Sequence, residues 1–229
     1  MTAPLLKACG ATTEAEITGL AAAGADLVGL WHGIPGGRAE LDPARLRQLA
    51  AATARTGTEP VVVTLHREAE PLLRMLRACG TSRVQLHGYQ PPSLVRALAR
   101  AGGVTVLKVL HLHGGGCPEQ ALIPAYERAG TDCFVLDSAT ADGRIGSTGV
   151  PADPALVLRL ADLLNRPFLL AGGIRADSRP AFAAVAEHPR FLGIDVDTAA
   201  RDTAGSLSGA RLAAIAHGWR TGQPSERTP

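Results

Sequence analysis

Aromatic residues make up only 3% of this 229-residue sequence, against 46% hydrophobic residues in all, so Ala, Leu and Val must fill most of any core. Cysteine is also sparse. Cys9, Cys79, Cys117 and Cys133 form neither a close pair nor the paired spacings of a zinc site, which leaves free thiols as the simplest reading. Charge of one sign is lacking: 23 basic residues are scattered among 21 acidic ones, for a net charge of +2. That balance argues against a nucleic-acid footprint or a basic membrane-binding face, and makes a small molecule the expected partner. No stretch approaches the roughly 18 consecutive apolar residues of a membrane span, and Met1 to Leu6 do not resemble a signal peptide, so a soluble, cytoplasmic protein is expected.

What is present is a repeat of short apolar runs: Leu5–Cys9, Ala25–Trp31, Pro60–Leu65, Arg83–Leu86, Val104–Val109, Cys133–Asp137, Pro167–Ala171 and Phe191–Val196. They are near-continuous rather than alternating, the pattern of parallel strands covered on both faces. Between them lie stretches of helical periodicity at Thr13–Ala23, Pro43–Arg55, Glu68–Ala78, Pro91–Ala101, Pro118–Ala129, Asp153–Asn165, Asp177–Glu187 and Ser206–Gly218. Asp42-Pro43 and Asp153-Pro154 pair an N-cap side chain with proline at the first helical position, and Gly24, Gly102 and Gly130 stand where left-handed residues end helices.

Strict alternation implies a parallel sheet, either closed or doubly wound. Eight even units favour closure. A doubly wound nucleotide-binding sheet would carry G-x-G-x-x-G after its first strand, where this chain reads Cys9-Gly10-Ala11-Thr12-Thr13. The expected fold is therefore an α/β protein, one (β/α)8 barrel domain over residues 1–229, with a flexible tail from about 220 to 229.

Such barrels work at the C-terminal ends of their strands, so polar residues closing the apolar runs are the candidates. These are Lys7 and Cys9, His66, Gln85 and His87, Lys108, Asp137, Gly172 with Gly173, and Asp195 with Asp197. A spacing of two places Lys7 with Cys9, Gln85 with His87 and Asp195 with Asp197 on common faces. An ion pair of Lys7 with Asp137 or Asp195 that merely ties strands together is the structural alternative. His111 and His113, in His-Leu-His-Gly-Gly-Gly, have a spacing seen in metal sites, but a solvated loop is the preferred reading and no metal is expected.

Taken together, Lys7-Ala8-Cys9-Gly10, Gln85-Leu86-His87-Gly88, Leu136-Asp137-Ser138 followed by Gly146-Ser147-Thr148-Gly149, Ala171-Gly172-Gly173-Ile174 and Asp195-Val196 resemble the phosphoribosylanthranilate isomerase family of tryptophan biosynthesis, from about Leu5 to Gly218. The resemblance implies an Amadori rearrangement without metal or organic cofactor. Cys9 would be the general base at ribose C2 and Asp137 the general acid at the ring oxygen. Lys7, Gln85, His87, Lys108 and Asp195 would contact substrate, and Arg38 would meet the aglycone carboxylate. Gly172, Gly173, Thr198 and Ala199 would hold phosphate through backbone amides. The chemistry asks for a lowered thiol pKa, which Lys7 is expected to supply, and a raised carboxyl pKa, which poor solvation is expected to supply.

The chain departs from the family pattern where Asp197 replaces a serine and alanine a glycine after strand eight. Val150 replaces a basic residue, Ala152 an aromatic, and the Trp31–Arg38 loop is altered. Arg201 or Arg175 would offset the added carboxylate. These changes fall on phosphate and aglycone contacts and spare the acid–base pair. A relative acting on another glycosylamine or sugar, with or without phosphate, is thus the alternative, and a non-catalytic binding or scaffold protein a further one.

Overall fold

A computed structural model describes residues 3–138 and 151–221. Gly146-Ser147-Thr148-Gly149, Val150 and the tail beyond residue 221 lie outside the described residues.

Eight parallel strands close into a barrel in sequence order: β1 Leu5–Cys9, β2 Leu27–Trp31, β3 Glu59–Thr64, β4 Arg83–Leu86, β5 Thr105–Leu112, β6 Cys133–Ser138, β7 Phe168–Leu170 and β8 Phe191–Val196. β1 meets β8 with Lys7 opposite Asp195, which closes the ring. The helices are α1 Glu14–Ala22, α2 Pro43–Arg55, α3 Ala69–Cys79, α4 Pro92–Arg100, α5 Ile123–Ala129, α6 Pro154–Leu163, α7 Ala183–Ala186 and α8 Gly209–Thr221.

Local chemistry sets the boundaries. Thr13 and Glu16 form a reciprocal capping box on α1, while the Asp42 and Asp153 carboxylates cap α2 and α6 ahead of proline. The Glu16 carboxylate also accepts from the Leu207 amide at 2.8 Å, which ties the start of α1 to the loop before α8. Gly24, Gly102 and Gly130 all have positive φ.

Alternation along the strands divides the core. Leu27, Val61, Leu107, Val109, Cys133, Val135, Leu169 and Ala171 pack together inside the barrel. Their neighbours one residue on or back, among them Val28, Val62, Val106, Phe134 and Leu170, pack outward against the helices. On β1, β2, β4, β6 and β8 the odd-numbered positions therefore aim inward, and at the C-terminal end they carry Cys9, Trp31, Gln85, Asp137 and Asp195.

Three expectations need correcting. β5 runs on to Leu112, so His111 is a fully buried strand residue rather than part of a solvated loop. Its Nε2 bonds the His87 carbonyl at 2.9 Å and its Nδ1 the Glu119 carboxylate at 2.6 Å, which satisfies both ring nitrogens away from water. The expected helix from Pro118 begins only at Ile123, after a 3-10 turn over Gln120–Leu122. That expected over Asp177–Glu187 is a 3-10 turn, Arg179–Phe182, followed by the four residues of α7.

Candidate active site

The inward positions converge on one pocket at the C-terminal mouth. Its walls include Cys9, Trp31, Gln85, His87, Asp137 and Asp195, and its rim Gly172, Gly173, Asp197, Thr198 and Ala199. Ten of the residues marked in the sequence as candidates are thus brought together: Cys9, Gln85, His87, Asp137, Gly172, Gly173, Asp195, Asp197, Thr198 and Ala199.

Cys9 ends β1. Its backbone and that of Gly10 turn across the barrel rim, where Gly10 takes φ +86° and an added Cβ would sit 2.6 Å from the Arg201 guanidinium. The thiol faces β2 at Gly29, where an added Cβ would lie 2.7 Å from Sγ and 3.2 Å from Lys7 Nζ. Only glycine leaves room for the sulfur and the ammonium to meet there. The Trp31 indole donates to Sγ at 3.2 Å.

Lys7 is fully buried beneath Cys9 and pairs with Asp195 at 2.7 Å. Burial opposes its charge, but Asp195 and then Cys9 more than compensate, so its pKa rises. The strand-tying ion pair considered from the sequence is therefore present, with Asp195. The expectation for Cys9 is overturned. Burial pushes its thiol up to about 12; Lys7 lowers it, but not enough, because Asp195 claims that ammonium and adds its own negative charge with Asp197. Asp137 behaves as expected: burial first, then Asp195, raises its carboxyl to about 7, against a lowering by Lys7.

On β4, Gln85 Nε2 lies 3.2 Å from His87 Nδ1. Desolvation, then the nearby His111, Lys7 and Lys108, hold His87 down to about 3, so the ring is neutral. With Nδ1 accepting from Gln85, the proton sits on Nε2 as a donor. Among the described residues three buried side-chain atoms have no partner: Thr131 Oγ1, away from the pocket, and Gln85 Oε1 and Asp195 Oδ1. Gln85 and Asp195 line the pocket, so their two oxygens suit a ligand that brings hydroxyl or N–H donors.

At the rim, Asp197 accepts from Arg38 Nη2 at 2.6 Å and from Arg201 Nε at 2.7 Å. Arg201 also donates to the carbonyls of Gly205 and Gly10, each at 2.8 Å. Among the described residues, none accepts from the amides of Gly172, Gly173, Thr198 or Ala199. Among the described residues Arg38 meets the site through Asp197. Arg175 pairs with Asp177 on the exposed surface instead of with Asp197.

Lys108 does not belong to this pocket. Its even-numbered position on β5 turns it outward, where Nζ donates to the Gly88 and Val109 carbonyls, lies 3.8 Å from Glu119 and sits over the Tyr126 ring. His66 is likewise absent from the lining. Trp31, in contrast, is a pocket residue not anticipated among the candidates. The signal was available: it follows Leu27 and Gly29 at spacing two, on the same inward face.

A closed parallel barrel with a pocket at its C-terminal mouth, set with a thiol, a raised carboxyl and a neutral imidazole, is the architecture of a barrel enzyme. The family model described as N-(5'phosphoribosyl)anthranilate (PRA) isomerase matches residues 6–205. The chain belongs to that isomerase family. It is 34% identical to the N-(5'-phosphoribosyl)anthranilate isomerase of Halorubrum lacusprofundi over 76% of this chain and 78% of that one. To the enzyme of the same name from Afipia carboxidovorans it is 32% identical, over 97% and 92% of the two chains. The crystal structure of phosphoribosyl anthranilate isomerase from Thermus thermophilus superposes with a TM-score of 0.77 at 24% identity, covering 96% of this chain and all of that one, a likeness of fold. Among the described residues, no helix is long and apolar enough to cross a membrane.

Proposed function

We propose that this protein catalyses the Amadori rearrangement of an N-(5-phosphoribosyl) aromatic amine to the 1-amino-1-deoxyribulose phosphate, the reaction its relatives' name implies, as a step of tryptophan biosynthesis. The observation that carries the reading is Asp137 in the same pocket as Cys9, with its carboxyl raised to about 7 and so able to hold a proton near neutrality. In the forward direction Asp137 gives its proton to the furanose ring oxygen as the C1–O bond breaks, leaving a C1=N iminium. Cys9, as thiolate, then takes the C2 proton. The resulting enolamine becomes the ketone by losing its O2 proton and gaining one at C1. Atoms balance and no external oxidant or reductant is needed.

The remaining residues fit supporting roles. Gln85 Oε1 and Asp195 Oδ1, both without partners, would accept from sugar hydroxyls, and the His87 Nε2–H would donate. The four rim amides would take the phosphate, and Arg38, released from Asp197, would meet an aglycone carboxylate. Asp197 supports a second reading. A carboxylate at the phosphate rim suits a sugar without phosphate, whose hydroxyls it would accept.

The test is turnover of N-(5-phosphoribosyl)anthranilate, followed by NMR as the anomeric C1 signal gives way to a methylene and a ketone carbon. Cys9→Ser and Asp137→Asn should each fold and lose on the order of a hundred- to ten-thousand-fold in kcat. An inactive wild-type protein overturns the substrate, and a near-normal mutant overturns that residue's role.

A further inference from the structure

Cys9 has to act as a thiolate in a place that disfavours one. The charged groups facing its sulfur are Lys7 on its own strand, Asp195 on the adjoining β8 and Asp197 just beyond; only Lys7 favours the anion. Lys7 in turn is held at 2.7 Å by Asp195. Arg201 reaches only the Cys9 backbone carbonyl, at 3.5 Å, and not the sulfur. Beside Lys7, which also bonds the Cys9 side chain, the sulfur has the Trp31 indole N–H as a neutral donor, at 3.2 Å.

That donor is also held still. Trp31 is 7% exposed and packs with Cys9, Ala39, Val63 and the partly buried Ile34. Its ring lies against two glycines: a Cβ at Gly10 would come 3.4 Å, and one at Gly37 3.2 Å, from indole atoms. The Trp31 carbonyl accepts from the Leu41 amide at 3.0 Å, which fixes the strand end that carries the ring. An indole N–H donates and never accepts, so its bond to sulfur strengthens when the thiol loses its proton and cannot reverse.

We propose that Trp31 is a positioning residue whose indole N–H, fixed by β2 and the loop after it, stabilises and aims the Cys9 thiolate toward the substrate carbon. The inference rests on the reading of Cys9 as base, but its chemistry is testable without any substrate. Two variants isolate the N–H. Trp31→Phe deletes it with part of the ring, and replacement of Trp31 by 3-benzothienylalanine substitutes sulfur for N–H while keeping the shape.

The readout is the rate at which iodoacetamide labels Cys9, followed by mass spectrometry of its peptide from pH 6 to 9 so that Cys79, Cys117 and Cys133 do not interfere. Losing one charge-assisted donor should cut the thiolate fraction about tenfold. The more basic thiolate is intrinsically about threefold more nucleophilic, so labelling should slow roughly three- to fourfold in both variants. If the wild type is an active isomerase, kcat should fall about tenfold while KM holds. Unchanged Cys9 labelling in the benzothienyl variant overturns the proposal, whatever Trp31→Phe does. Slower labelling in a protein that never turns over the phosphoribosyl substrate upholds it and discards the substrate assignment instead.

Discussion

Asp137→Asn should make the protein more stable and nearly inactive at once. The Asp137 carboxyl rises from 3.8 to about 7 on folding, because burial and Asp195 outweigh Lys7. Between those two values the folded protein keeps a proton that the unfolded chain has released, so stability falls as pH climbs, by about 1.4 kcal/mol per unit. The loss starts near pH 4, is complete just above pH 7, and comes to about 4 kcal/mol. Asparagine mimics the protonated carboxyl and does not titrate. Wild type and mutant should therefore unfold alike at pH 4 and diverge steadily above it. At pH 8 the mutant should melt roughly 10 °C higher, since 1 kcal/mol moves the midpoint about 2–4 °C in a chain this long. Differential scanning calorimetry at pH 4, 6 and 8, with turnover measured alongside, gives the answer. A stability difference independent of pH would refute the reasoning, because it would mean that Asp137 folds into its site already ionised.

Asp197→Ser removes the carboxylate between Arg38 and Arg201, so inorganic phosphate should inhibit up to about fivefold more tightly, whereas Arg201→Ala should weaken it. Wild-type turnover that phosphate does not inhibit, with a collapse in Asp197→Ser, would point to a substrate without phosphate. Lys7→Met leaves the Asp195 carboxylate buried without its counter-ion and should cost about 3–5 kcal/mol in urea unfolding, most of it recovered by Lys7→Met with Asp195→Leu. A double mutant no more stable than the single would show that the pair is not the source of the loss.

The strands were legible because both of their faces are apolar, and the inward set could be counted off in twos from Cys9 and Asp137. β5 was misjudged for a physical reason. A His-Leu-His run followed by glycines reads as solvated unless both imidazole nitrogens find partners, and those of His111 are Glu119, eight residues on, and the His87 carbonyl just after β4. Lys108 was misplaced because it looks like a strand-end cation, although it shares its face with the outward Val106 and Leu110. The rise of the Cys9 thiol was hidden as well. Lys7 is visible two residues away, but Asp195, which competes for the same ammonium, is 188 residues distant in sequence.

The acid at position 197 looked, in the sequence, like an argument against an anionic ligand. The geometry reduces its weight. One carboxylate lies between two guanidiniums, so the cluster as a whole carries a net positive charge. Its two arms also differ. The Arg201 side chain is 7% exposed and bound to the Gly10 carbonyl, where release would leave buried donors unsatisfied. The Arg38 side chain is 41% exposed and gains little from its ion pair. An arriving anion therefore need not displace Asp197 from Arg201. A ligand with the proposed aglycone carboxylate would have only to draw Arg38 away, leaving Asp197 on Arg201. On the proposed reading Asp197 would set where Arg38 waits before the ligand arrives, while Arg201, bound to the Gly10 carbonyl, would keep the Cys9–Gly10 turn in place.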